Sequence, residues 1–204
     1  SKRLKSAYTL GALGNSAIPG LIDRLADEPT GRYATISLGT SDQNAVPGLI
    51  SALRHPKDIV RARAASALGD LGVASEYAKP QLLSALTDSV PRVRRNAAES
   101  LGNIGFKNGD YSFAEQQAMT LGQLLKDEYY WVRDNAARSL AKMGAQAEQA
   151  IPNLQLALND ENRYVRFNAA LALREIGTRR AQEILFDHLF TSRWCSLTTP
   201  DSAF

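Results

Sequence analysis

Arginine recurs in this sequence in a setting that suits ion pairing. Arg61, Arg94, Arg133 and Arg166 each follow a valine and are followed two residues on by a pair of alanines, and they stand 33, 39 and 33 residues apart. Six residues before three of them is an aspartate: Asp88, Asp127 or Asp160. A guanidinium fork and a carboxylate form paired, charge-assisted hydrogen bonds, so the double repetition predicts a ladder of Arg-Asp contacts between neighbouring copies of one unit. Residues suited to covalent or metal chemistry are scarce. The chain has two histidines, His55 and His188, and one cysteine, Cys195. One thiol excludes an intramolecular disulfide or a zinc ribbon, and neither histidine lies beside a second ligand type at metal spacing. His55 occupies the place of the repeat's aspartate and reads as a solvated or capping histidine. Two histidines in these contexts assemble no Ser-His-Asp triad.

The remaining chemistry is recognition. Two residues before each arginine the sequence reads Ile59, Arg92, Trp131 and Tyr164, and Phe167 follows the last arginine. With Tyr129, Tyr130, Tyr111 and Phe113 close by in sequence, these rings are expected to form a patch, and Tyr and Trp are frequent interface anchors. Two residues after each arginine come Arg63, Asn96, Asn135 and Asn168, and the next outward positions are Ser66, Glu99, Arg138 and Leu171. The amide column is expected either to bond an extended partner or to bond the loops between units. The candidate partner-binding residues are therefore Tyr130, Trp131, Tyr164, Phe167, Arg63, Asn96, Asn135, Arg138 and Asn168, with no catalytic and no metal residue.

These side chains must be positioned by helices. Counting from each arginine, Ala64, Ala97, Ala136 and Ala169 stand at plus three and Leu68, Leu101, Leu140 and Leu173 at plus seven, which is one face of an α-helix. Alanine on that face lets a neighbouring backbone come close. Gly72, Gly105, Gly144 and Gly177 then close the helix in a left-handed turn. Fourteen residues before an arginine stands Pro47, Pro80 or Pro152, a first-turn signal for a preceding helix, followed by Leu49 and Leu53, Leu82 and Leu86, or Leu154 and Leu158. The unit with Met119 in the proline's place keeps Leu121 and Leu125. Asp58 and Pro91 read as start signals for second helices. Six extra residues fall within 106–118, where a loop on the binding face is expected.

The motif Leu-x-Asp-x(4)-Val-Arg-x-x-Ala-Ala-x-x-Leu, at Leu86–Leu101 and Leu158–Leu173, resembles the HEAT-like repeat of the phycobilisome-lyase family. The resemblance covers nearly the whole chain. It implies an all-α, right-handed α-solenoid of about six helix pairs, and it is strong for fold and weak for task, since such repeats serve scaffolds, bilin lyases, a metal-dependent hydroxylase and DNA glycosylases. That hydroxylase binds metal through repeated His-Glu dipeptides, and this chain contains none.

Residues 1–190 are expected to form the solenoid. Arg3 stands eight before Gly11, as Arg61 stands eight before Gly69, so the chain is expected to open in a second helix as part of a longer protein. Residues 191–204 are expected to cap the end, with Trp194, Leu197 and Phe204 over the last helix and Cys195 unreactive. No apolar run reaches the roughly 20 residues of a membrane span, and the lack of paired cysteines suits a reducing, cytoplasmic setting. Formal net charge is +3, from 24 basic and 21 acidic residues, too mixed for a dedicated phosphate track. The leading expectation is a non-catalytic scaffold that binds another protein, without a cofactor. A subunit of an E/F-type phycobilin lyase, handling a bilin and a phycobiliprotein, is the alternative that the resemblance implies, and a nucleic-acid binder is the third.

Overall fold

The computed structural model describes residues 16–106 and 111–194. The expected opening helix at Arg3–Gly11 and the tail from Cys195 onward lie outside these residues. Helices follow one another as α1 (Ile18–Asp23), α2 (Thr30–Gly39), α3 (Val46–Ala52), α4 (Asp58–Leu71), α5 (Lys79–Ala85), α6 (Pro91–Ile104), α7 (Ala114–Leu124), α8 (Tyr130–Met143), α9 (Ile151–Ala157), α10 (Arg163–Ile176) and α11 (Arg179–Trp194). Odd-numbered helices are the first and even-numbered helices the second of each pair. The described residues therefore hold five pairs and one further helix of a repeat solenoid.

Local sequence sets these bounds. Proline lies in the first turn of α3, α5 and α9, where its missing N–H costs nothing, and a 3-10 stretch leads into each. The four Val-Arg helices α4, α6, α8 and α10 are each 14 residues long. Their closing glycines all have positive φ, but only Gly177 is left-handed helical, at φ 68° and ψ 1°. Gly72, Gly105 and Gly144 instead take φ of 58°, 62° and 57° with ψ of −135°, −150° and −133°. That mirror-extended region is open essentially to glycine alone, which corrects the expectation of a left-handed turn at all four.

Two other expectations change. The insertion is not all loop, because α7 starts at Ala114, five residues before Met119, and runs 11 residues where α5 and α9 run seven. Residues 114–118 hold Ala, Glu and Gln with no proline, and such straight-chain formers extend a helix where nothing stops it. Likewise α11 continues through residues 191–194, the start of the expected cap.

Leucine and alanine fill the seam. Leu49, Leu68, Leu82, Leu101, Leu121, Leu140, Leu154 and Leu173 are fully buried, and each contributes roughly 1.5–3 kcal/mol relative to exposure. Small residues then bring the second helices together. A Cβ built on Gly69 would lie 2.4 Å from Ser100 Oγ, and one on Gly102 would lie 2.6 Å from Ser139 Oγ. Both hydroxyls donate across the contact, Ser100 to Ala65 O and Ser139 to Ala98 O, each at 2.7 Å. Second helices thus pack directly on one another, α4 on α6 on α8 on α10, while successive first helices meet over less of their length, with Gly48 against Ile22 and Gly122 against Asn153. Closer packing on one side of a stack makes that side the inner, concave one. Shallow hollows remain between α1 and α3 and between α3 and α5 on the outer side.

Candidate binding surface

The predicted ladder is present. Arg61 grips Asp88, Arg94 grips Asp127 and Arg133 grips Asp160, in each case with Nε at 2.7 Å and Nη2 at 2.9 Å from the two carboxylate oxygens. Nη1 of each arginine donates meanwhile to two carbonyls of its own unit's loop, such as Asp88 O and Ser89 O for Arg94. One side chain therefore ties its own loop to the next. Each aspartate also accepts from the backbone N–H two residues on, at Val90, Tyr129 and Asn162. His55 Nδ1 accepts from Lys57 N at 3.0 Å in the same manner, so it caps the turn that an aspartate caps elsewhere. Burial pushes the Asp88 carboxyl up, but the Arg61 fork, the Val90 N–H and the charges of Arg61 and Arg94 outweigh it, holding the group below the usual carboxylate range.

The column two residues after each arginine does not face outward. Arg63, Asn96 and Asn168 are 7%, 8% and 7% exposed, and they reach back to the preceding unit. Asn96 donates to Ala62 O and Asn168 to Asp134 Oδ1, both at 2.7 Å. Arg63 donates to Leu25 O at 2.7 Å and Asp27 O at 2.9 Å and pairs with Glu28. It fills the site that a shortened first repeat leaves open, and Gly31 makes room, since a Cβ there would overlap Arg63 Nη1. Asn135 is half-buried and turns to its own helix, donating to Trp131 O at 2.8 Å. Arg138 is exposed and pairs with Asp134 at 3.0 Å. The ladder thus stitches forward and the Arg63 column mostly stitches backward.

The aromatic residues separate into two groups. Tyr129 and Trp131 meet at a 38° tilt with ring centroids 5.1 Å apart, and the Arg95 guanidinium lies 5.7 Å from the Trp131 ring. On the next inner helix Tyr164 and Phe167 are 53% and 68% exposed, with Arg163 over the Tyr164 ring and bonded to its hydroxyl at 2.8 Å. Tyr130 is also exposed. Tyr111 instead pairs with Phe106 at 5.2 Å, and Lys79 Nζ lies 4.4 Å over Phe106. Tyr111 and Phe113 precede α7 whereas Tyr129 follows it, so a helix of about 16 Å separates them. The insertion lies at the glycine edge and the Trp131 cluster at the ladder edge, which corrects the expected single patch. Arg95 and Arg163 gave no sequence signal beyond standing beside an aromatic column.

Among the described residues no cluster of His, Cys, Asp and Glu is arranged to hold a metal, and no helix is long and apolar enough to cross a membrane. No curated protein matches the sequence. Among solved structures the chain is similar to the complex of CpcE and CpcF of phycocyanin lyase from Nostoc sp. PCC7120, at 27% identity and TM-score 0.65, over 77% of this chain and 98% of that one. It shares its fold with a designed armadillo repeat protein in complex with peptide (KR)4, at 20% identity and TM-score 0.63, over 85% of this chain and 91% of that one. An engineered protein gives 23% identity and TM-score 0.61 over the same shares. A family model of HEAT repeats matches residues 46–116 and 118–194, which contain all four Val-Arg helices. The repeated helix pair, its Arg-Asp ladder and this match agree, and the chain belongs to the HEAT-repeat family.

Proposed function

We propose that this chain is a cytoplasmic, non-catalytic docking scaffold that binds a segment of another protein along the inner helix layer at α8 and α10. Trp131, Tyr130, Tyr164 and Phe167 are the anchors, with Arg138 on the rim. The observation that carries this reading is the exposure of Tyr164 and Phe167 on an inner-layer helix beside Trp131, since large exposed rings are costly to leave in water and are frequent hot spots of interfaces. Arg63, Asn96 and Asn168 enter only by fixing the spacing of the units that carry the anchors. The test is affinity capture from host lysate with the intact chain and with Tyr164→Ser/Phe167→Ser, read by mass spectrometry. Proteins held by the intact chain and lost from the double variant support the reading, and equal capture by both sinks it.

Similarity to the CpcE and CpcF complex favours a second reading, a lyase subunit acting with a phycobiliprotein. Trp131 and Tyr164 would then stack on a bilin. Visible absorbance co-eluting with the intact chain after incubation with free bilin, and lost in the same variant, would favour it over the scaffold.

A further inference from the structure

Three of the four ladder arginines hold a carboxylate, and the fourth holds none among the described residues. In Arg61, Arg94 and Arg133 the Nη1 group is fixed to two loop carbonyls of its own unit at 2.9–3.3 Å, and Nε with Nη2 then takes the next unit's aspartate. Arg166 is set up identically, its Nη1 donating to Asp160 O at 2.8 Å and Glu161 O at 3.0 Å. Its Nε and Nη2 make no hydrogen bond or ion pair among the described residues. The spacing of the ladder accounts for this. Asp88 comes 27 residues after Arg61 and Asp160 comes 27 after Arg133, whereas the residue 27 after Arg166 is Arg193. Helix α11 also runs through that position instead of turning into a loop.

We propose that Arg166 is a preformed carboxylate receptor, which takes an aspartate or glutamate side chain of a protein partner in the two-nitrogen geometry that Arg94 shows with Asp127. Half-buried and tethered through Nη1, its side chain is already ordered, so little conformational entropy opposes the new pair. Protein carboxylate suits the site better than nucleic-acid phosphate. The exposed neighbours on the same turn are Tyr164 and Phe167, and Arg163 is already engaged with the Tyr164 hydroxyl, so the turn offers one open fork beside apolar surface rather than a track of cations. The inference rests on the docking reading only in taking the occupant to be a protein.

Selection of a displayed random twelve-residue peptide library on the intact chain tests it. Enriched peptides are then synthesised and measured by fluorescence anisotropy against the intact chain, Arg166→Gln, Arg166→Lys and Phe167→Ser. The expected peptides carry Asp or Glu near an aromatic or aliphatic residue, and lose about tenfold in affinity, or about 1.4 kcal/mol, on Arg166→Gln or when their own carboxylate becomes an amide. Lysine restores only part, because it lacks the fork. Peptides that need Phe167 but are indifferent to Arg166 overturn the proposal and leave the docking reading intact. Peptides that need Arg166 but not Phe167 uphold the proposal and remove the aromatic anchor. An Arg166-dependent twelve-nucleotide oligothymidylate, with no acidic peptide selected, overturns it in favour of phosphate. Hydrogen exchange at the arginine Nε–H groups of the unaltered chain needs no variant. Arg166 is expected to exchange faster than Arg94 and to slow when the peptide is added. Slow exchange in the free chain that Asp201→Asn releases would assign the fork to the chain's own carboxylate and overturn the proposal.

Discussion

Arg94 and Asp127 are 33 residues apart in sequence and are joined by two hydrogen bonds, 2.7 Å from Nε and 2.9 Å from Nη2, with side chains only 15% and 8% exposed. Removing one partner leaves the other charge buried. Arg94→Ala is expected to destabilise by ~3 kcal/mol, and Arg94→Lys to recover less than half of that, because a lysine cannot span both oxygens. Denaturant midpoints of the two variants at constant slope check this.

Acid should release the Arg61–Asp88 rung. The Asp88 carboxyl is held below its ordinary value in the folded chain, so its contribution to stability is present above the unfolded value of about 3.9 and is lost as pH falls through the folded value. The stability gap between the natural chain and Asp88→Asn is expected to be widest near neutral pH and to narrow as pH falls through the folded value. Unfolding curves taken at half-unit steps of pH would show it, and a gap that stays constant down to pH 2.5 would contradict it.

Glycine to alanine usually strengthens a helix by roughly 0.5–1 kcal/mol. At Gly69 the sign is expected to reverse, with a loss of about 1–3 kcal/mol from overpacking, because the new methyl would lie 2.4 Å from Ser100 Oγ and 2.8 Å from Ser100 Cα. Adding Ser100→Gly should return part of the loss, and a double-mutant cycle of melting temperatures measures how much.

The closing glycines should respond differently to asparagine. At Gly177 the left-handed conformation accepts it, so Gly177→Asn is expected to cost under ~1 kcal/mol. At Gly144 the mirror-extended backbone does not, although no atom lies nearer than 3.6 Å to an added Cβ, and Gly144→Asn is expected to cost about 1–3 kcal/mol. Similar losses at both sites would mean that helix closure, not backbone angle, sets the requirement.

The helices and the ladder were legible because each rests on chemistry that repeats. Val-Arg followed by paired alanines marks a buried face, and the Asp six residues earlier marks a loop that an arginine can reach. The insertion departs from a plain loop because the missing proline at Met119 removes a stop as well as a start, which lets α7 grow backward to Ala114. The column of Arg63, Asn96 and Asn168 faces inward because units stacked through Ala, Gly and Ser come close enough to cover it, a distance that one helix's periodicity does not contain. Of the polar candidates, Asn135 and Arg138 stay partly or fully in solvent. The open fork of Arg166 was readable in principle from Arg193 standing 27 residues on, but its meaning depends on the tether from Nη1 to the Asp160 and Glu161 carbonyls.

The contact of Gly69 on Ser100 and of Gly102 on Ser139 makes the inner layer incompressible, while the hollows beside α3 leave the outer layer with space to lose. Elastic response is therefore one-sided. Straightening draws on those hollows until Ile22 presses on Gly48, whereas tighter curling drives backbone at once into a serine already in van der Waals contact. The solenoid behaves like a strap with a rigid lining, able to open around a wider partner and unable to clench on a narrower one.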